Sequence, residues 1–188
     1  VGKSTLFNRL IGKRQAIVED FPGTTRDRIY GELTWNGQVM DLVDTGGLVD
    51  LKSSDQAEQQ IINQGLVQQI KTAISEAHVL IVLIDGKNEL TSEDHLAVEL
   101  ARKSGKPVLL LVNKLDDVSQ FGKVNQYYNL GLGEPIPLSA LSGKGVGDFL
   151  DLLVNEVKDN LEQEQTEVPP EEIVSDIPKV AIVGRPNV

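Results

Sequence analysis

The chain predicts an α/β fold, a mostly parallel sheet with helices on both faces, and three features predict it. The runs Val79-Leu-Ile-Val-Leu-Ile84 and Val108-Leu-Leu-Leu-Val112 show no polar alternation, as expected of strands whose sheet is covered on both sides. Between them Thr91 stands as an N-cap before a helical pattern over 92–104 that Gly105 ends, which makes a βαβ unit. Upstream, Tyr30 to Trp35 alternates toward Asn36-Gly37, a strong hairpin signal, and Val39 to Asp44 reads as the returning strand.

The other elements follow in order. Leu6, Phe7, Leu10 and Ile11 lie at helical spacing, with Gly12 as the stop. A polar loop holding Asp20, Pro22 and Gly23 leads to about Arg28, and a second polar stretch covers 48 to about 59. Ile61, Ile62, Leu66, Val67, Ile70, Ala73 and Ile74 form one apolar face of a helix over 61–74. Ile136 to Ser139 is a short strand, 143–147 a glycine-rich turn, and Phe149, Leu150, Leu152, Leu153 and Val157 mark the next helix. Residues 159–178 are acidic and proline-containing with little apolar periodicity, and read as a solvated linker. Lys179-Val-Ala-Ile-Val183 then looks like a new strand, and Gly184-Arg-Pro-Asn-Val188 like the start of a loop.

At 188 residues the chain can hold one well-cored domain and a tail. Lys and Arg number 18 against 28 Asp and Glu, a net charge of -10, which argues against a general affinity for nucleic-acid phosphates or anionic membranes. No direct nucleic-acid site is evident. The absence of cysteine removes disulfides, thiolate metal sites and Cys nucleophiles. The apolar runs are too short to cross a bilayer, so no membrane partner is expected.

Four motifs carry chemistry. A phosphate-binding loop reads G-x-x-x-x-G-K-[ST], because backbone N–H groups wrap the phosphates, the Lys reaches them and the hydroxyl binds Mg²⁺. Gly2-Lys3-Ser4 is the second half of such a loop and Gly184 to Val188 a first half without its Lys. Taken singly, Gly2-Lys3-Ser4 is also an ordinary helix start. Asp44-Thr-Gly-Gly47 at a strand end fits a D-x-x-G switch, or an ordinary strand-to-loop turn. Thr25 lies in the polar loop before the hairpin, where a hydroxyl can cap Mg²⁺. Asn113-Lys114-Leu115-Asp116 follows a buried strand and ends in a carboxylate able to accept two hydrogen bonds from the guanine N1–H and 2-amino edge. Adenine lacks that donor pair. Ser139-Ala140-Leu141 falls at the next strand end, where a backbone N–H can meet the guanine O6. His78 and His95 have no acid partner at a useful spacing and read as surface or boundary residues; Tyr30 and Trp35 read as strand-face residues.

Together with Pro22-Gly23-Thr24-Thr25-Arg26-Asp27, these motifs resemble the TrmE–Era–EngA branch of the translation-factor-type GTPases, and among them the tandem members with two GTPase domains. The resemblance implies a P-loop NTPase (Ras-like) G domain over 1–158 that lacks its N-terminal first strand. It implies an acidic linker over 159–178, and over 179–188 the first strand and half phosphate loop of a second GTPase domain. The chain would be an internal fragment of a GTP-hydrolysing switch protein of large ribosomal subunit assembly, cytoplasmic, with GTP/GDP, Mg²⁺ and K⁺ as its cofactors. Gly2, Lys3, Ser4 and Thr5 would contact phosphate; Ser4, Thr25 and Asp44 would serve Mg²⁺; Asn113, Lys114, Asp116, Ser139 and Ala140 would hold the base. Catalysis would fall to Lys3, Thr25 and Gly47, the last sensing the γ-phosphate. Leu48 stands where a water-orienting Gln stands in Ras-like enzymes, and the Asn that grips K⁺ in relatives is present only as Asn187. The fragment would be impaired in hydrolysis. Two other readings remain open: a nucleotide-dependent binding module with negligible hydrolysis, and a circularly permuted domain in which 179–188 fill the missing strand position.

Overall fold

The computed structural model describes residues 1–12, 17–19, 28–44, 71–167 and 177–185. Helix α1 spans Lys3–Ile11, strand β1 Ile17–Glu19, β2 Arg28–Trp35 and β3 Gln38–Asp44. A helix, α2, is described over 71–76. Then come β4 Val79–Asp85, α3 Ser92–Lys103, β5 Val108–Asn113, a 3₁₀ segment Val118–Leu130, β6 Ile136–Pro137, α4 Val146–Glu167 and β7 Lys179–Val183. The seven strands form one sheet in the order β1-β2-β3-β7-β4-β5-β6. The β1–β2 and β2–β3 pairs are antiparallel and the rest are parallel.

Local chemistry accounts for the elements. The β2–β3 hairpin turns at Asn36 and Gly37, with φ of 47° and 78°, the two positive values that a type I′ turn requires. Its tip is tied to α4, because Trp35 Nε1 and Asn36 Nδ2 donate to Asp151 Oδ1 at 2.7 and 2.8 Å. Helix α3 opens on a capping box: Thr91 Oγ1 accepts from the Asp94 N–H while the Asp94 carboxylate accepts from the Thr91 N–H.

Strand β7, read as the opening of a second unit or, alternatively, as filling the missing strand position, lies in the middle of the sheet, where it runs parallel to both β3 and β4. The strand that should precede α1 thus comes from the far end of the chain. Strand β7 suits the position because every second side chain faces a different core. Val180 and Ile182 join Leu6, Phe7 and Leu10 of α1 and Phe149, Leu153 and Val157 of α4 on one face. Ala181 and Val183 join Ala97, Val98 and Ala101 of α3 and Val124, Tyr127 and Leu130 of the 3₁₀ segment on the other.

Two boundaries also differ. Helix α4 continues to Glu167, nine residues into the stretch 159–178 expected to be linker. Leu161, one turn beyond Val157, packs against the core of α4's face, and the Glu and Gln residues around it are good helix formers, so acidity alone did not end the helix. Strand β6 is only Ile136–Pro137, and Leu138 and Ser139 leave the ladder for the following loop. Of the expected helix over 61–74, residues 61–70 lie outside the described part, as does the loop around Pro22.

The central placement of β7 sets a stability expectation. Ile182 has no exposed surface, so Ile182→Ala should cost about 2–4 kcal/mol in urea unfolding, whereas Leu152→Ala, at a side chain 46% exposed, should cost less than about 1 kcal/mol. Equal costs would show that β7 is not held in the sheet.

Candidate functional site

The two ends of the chain meet where β7 stops and α1 starts. Gly2 caps α1 with φ 92°, and a Cβ there would lie 2.6 Å from Asn113 Nδ2, so both backbone sign and close approach demand glycine. Lys3 is buried, and its Nζ donates to the carbonyls of Gly184 at 2.9 Å and Arg185 at 2.7 Å. The halves of the split loop are therefore physically joined through one ammonium. Burial pulls the Lys3 pKa down to about 8, with the Asp44 carboxylate opposing the fall. Ser4 and Thr5 are exposed on the first turn of α1, and Ser4 Oγ donates to Asp44 Oδ2 at 3.4 Å. A helix N-terminus with a lysine and two hydroxyls is chemically suited to phosphate. The Ser4 hydroxyl and the buried Asp44 carboxylate are hard oxygen donors side by side, a fit for Mg²⁺. Thr25, Gly47, Leu48 and Asn187 lie outside the described residues.

A second cluster is built by the ends of β4, β5 and β6. Asn113 is buried and braces three segments: Nδ2 donates to the Val1 carbonyl at 2.8 Å, and Oδ1 accepts from the Ala140 N–H at 2.8 Å. That N–H, one of those at Ser139-Ala140-Leu141 where a base O6 was expected, is thus engaged by the Asn113 side chain. Lys114 adopts φ 69° and pairs with Asp85 Oδ2 at 2.7 Å. Asp116 Oδ1 accepts from Ser139 Oγ at 2.7 Å, Oδ2 pairs with Lys87 Nζ, and its backbone carbonyl accepts from Lys144 Nζ at 2.7 Å. Hydrogen bonds from Lys87 and then Ser139 hold the Asp116 carboxyl below the usual carboxylate range. Asp85 is 2% exposed. Burial pushes its pKa up, but the bonds from Lys114, the Lys87 N–H and Asn88 together outweigh it and bring the group to about 2.

The structure therefore gathers Gly2, Lys3, Ser4 and Asp44 into one cluster and Asn113, Lys114, Asp116, Ser139 and Ala140 into another, with Asn113 bonded across to Val1. Sequence reasoning missed Asp85, Lys87, Lys144 and Arg9. Asp85-Gly86 was findable, since it ends an apolar run in an acid and a glycine as Asp44 does. Arg9, whose guanidinium donates to the Ala140 and Leu141 carbonyls, carried no signal, because only the packing of α1 against that loop brings it there.

A family described as "50S ribosome-binding GTPase" matches residues 1–114. GTPase Der of Amoebophilus asiaticus is 44% identical over 188 residues, which is 100% of this chain and 40% of that protein. GTPase Der of Clostridium acetobutylicum is 43% identical with the same coverage. The chain spans about two fifths of the length of the curated relatives it matches. Among solved structures, Era in complex with MgGDPNP and a segment of 16S ribosomal RNA superposes with a TM-score of 0.61 at 26% identity, covering 83% of this chain and 53% of that one. A variant of Era from Aquifex aeolicus bound to GDP and AlF4- gives 0.59 at 27% identity, covering 94% and 58%.

The buried Lys3 predicts a pH dependence. Its folded pKa, about 8, lies below the ordinary lysine value of 10.5, so between these values the unfolded chain binds more protons and stability rises with pH. The penalty is fully present below pH 8 and relieved as pH approaches 10.5, by on the order of 3 kcal/mol at most. Lys3→Met should remove this rise, read as the difference between the two unfolding free energies across pH 7.5–10.5; parallel curves would contradict the buried ammonium.

Proposed function

The chain belongs to the 50S ribosome-binding GTPase family, and from that premise we propose that it is the guanine-nucleotide-binding section of a longer GTP-hydrolysing switch protein of large ribosomal subunit assembly. The observation that carries the reading is the Lys3 bridge to the Gly184 and Arg185 carbonyls. It brings Gly184 and Arg185 of the first half-loop against Lys3 of the second, next to Val1, to which Asn113 bonds, so phosphate and base clusters lie on one end of the sheet.

In this reading Gly2, Lys3, Ser4 and Thr5 hold the phosphates, and Asp116 accepts from the guanine edge while Lys114, Ser139 and Ala140 wall the base. Mg²⁺, when bound, would neutralise phosphate charge, and Ser4 and Asp44 would serve it, with Thr25 a third. Gly47 meets the γ-phosphate and, with Lys3 and Thr25, completes the catalytic group. Because Leu48 cannot orient water, hydrolysis in the parent would need charge from another source, which a K⁺ ion would supply; the Asn that grips K⁺ in relatives is present in this chain only as Asn187. Residues 1–158 form the first GTPase domain, and 179–188 open a second one in the parent, while Lys179–Val183 complete the sheet in this chain. Among the described residues no helix is long and apolar enough to cross a membrane, and we place the parent in the cytoplasm, acting on the large ribosomal subunit or its precursor. Leu48 favours a second reading, in which the bound nucleotide only presents 20–28 and 48–60 to a partner and hydrolysis is negligible.

Calorimetric titration with Mg²⁺ should show binding of GDP and none of ADP. Asp116→Ala should weaken GDP binding at least about tenfold, the scale of a lost charge-assisted hydrogen bond. Binding of ADP as tightly as GDP would refute the base assignment. Single-turnover GTP cleavage by the longer parent, faster in K⁺ than in Na⁺, separates the enzyme from the binding module.

A further inference from the structure

We propose that Lys87 is a specificity-determining residue of the base site, an ammonium paired with Asp116 that competes with guanine for the carboxylate but not with a purine lacking the 2-amino group. The inference deepens the guanine reading above and rests on it.

The turn after β4 is built to aim this side chain. Asp85 Oδ1 accepts from the Lys87 N–H at 2.9 Å, and Oδ2 accepts from Asn88 Nδ2 at 2.9 Å, an Asx-type turn anchored on a buried carboxylate. Gly86 donates its N–H to the Asn113 carbonyl at 2.8 Å, and a Cβ on it would meet that oxygen at 2.9 Å. The turn is thereby fastened to the Asn113-Lys114-Leu115-Asp116 loop itself. Asp85 also holds Lys114 at 2.7 Å, so one carboxylate orients both a base-site lysine and the turn that carries Lys87.

From this turn Lys87 Nζ reaches Asp116 Oδ2, while Ser139 Oγ takes Oδ1. Ser139 has no exposed surface, whereas the Lys87 and Asp116 side chains are 52% and 44% exposed. The Ser139 bond is therefore the fixed, interior one, and the Lys87 bond lies on the solvent-open side. Guanine presents two adjacent donors, N1–H and the 2-amino group, and needs both carboxylate oxygens. Hypoxanthine presents N1–H alone and leaves Oδ2 to Lys87. The ion pair thus opposes guanine selectively, by an amount that salt screens.

The ratio of GDP to IDP affinity tests this, because phosphate contacts cancel in it. In the full chain at low salt, Lys87→Met should raise the GDP preference about two- to fivefold, the scale of an exposed ion pair. The gain should shrink in 0.5 M KCl. Lys87→Arg should restore the original ratio, and Lys87→Gln should behave as Met does, separating loss of charge from a change in local packing. A ratio that is unchanged or falls in both neutral variants, with GDP still preferred over ADP, would overturn the proposal and leave the guanine reading standing. Loss of preference for GDP over ADP in the unmodified chain would overturn both.

Discussion

The parallel pairing of β7 with β3 and β4 is the constraint on which the rest of the molecule depends. Strands β3 and β4 do not pair with each other; each meets β7 along four residue positions. Without β7 both would present unpaired N–H and C=O groups to a gap in the sheet, and buried polar groups of that kind are costly. Val180 to Val183 have no exposed surface and join the two cores through the sheet. The site depends on the same strand, because its last turn delivers the Gly184 and Arg185 carbonyls to Lys3. Folding and site assembly are in that sense one event.

Around that strand the charged groups are placed so that each meets a partner supplied by a different element. Lys3 of α1 lies against β7's outgoing loop and near Asp44 of β3; Lys114 after β5 lies against Asp85 of β4; Asp116 lies against Lys87 and Ser139 from the turns on either side. Burial of an unpaired charge costs several kcal/mol, and partners offset that cost only when geometry is fixed. Strand ends provide such geometry, since parallel strands bring their C-terminal ends to one edge, the usual place for ligands in open α/β sheets. Asn113 adds a neutral brace, coupling the segment at Val1 to the loop at Ala140 through both atoms of one amide.

Much of this was legible in the sequence, for reasons that are local. Asn36-Gly37 permits few backbone alternatives, the Thr91 cap specifies a helix start, and unbroken apolar runs specify buried parallel strands, so β2 to β5 and α3 appeared within a residue or two of their expected limits. The motifs at strand ends were legible because loop chemistry is written in few residues. What escaped reading was tertiary. His78, read as a surface or boundary residue, accepts the Lys179 N–H on Nδ1 at 2.9 Å and so guides the entry of β7. Trp35, read as a strand-face residue, also fixes the hairpin tip to α4. The extent of α4 depended on Leu161 finding a core to pack against.

The placement of β7 shows why strand ownership is the least legible property of all. A central parallel strand must be apolar on both sides, as Val180 to Val183 are, and here it must end in a glycine, because a Cβ at Gly184 would lie 2.5 Å from the Leu83 carbonyl. Those requirements describe the opening strand of any phosphate-loop domain. A segment read as the start of another domain therefore meets the requirements of this position. Nothing in five apolar residues and a glycine says which sheet they belong to. The choice is made by supply: the segment follows α4 in the same chain, and tethering raises its effective concentration to about the millimolar range. His78, Asp41 and Lys3 then hold it at its entry and exit. Where two such strands were available to one gap, they would compete on nearly equal contacts, and the tether would decide between them.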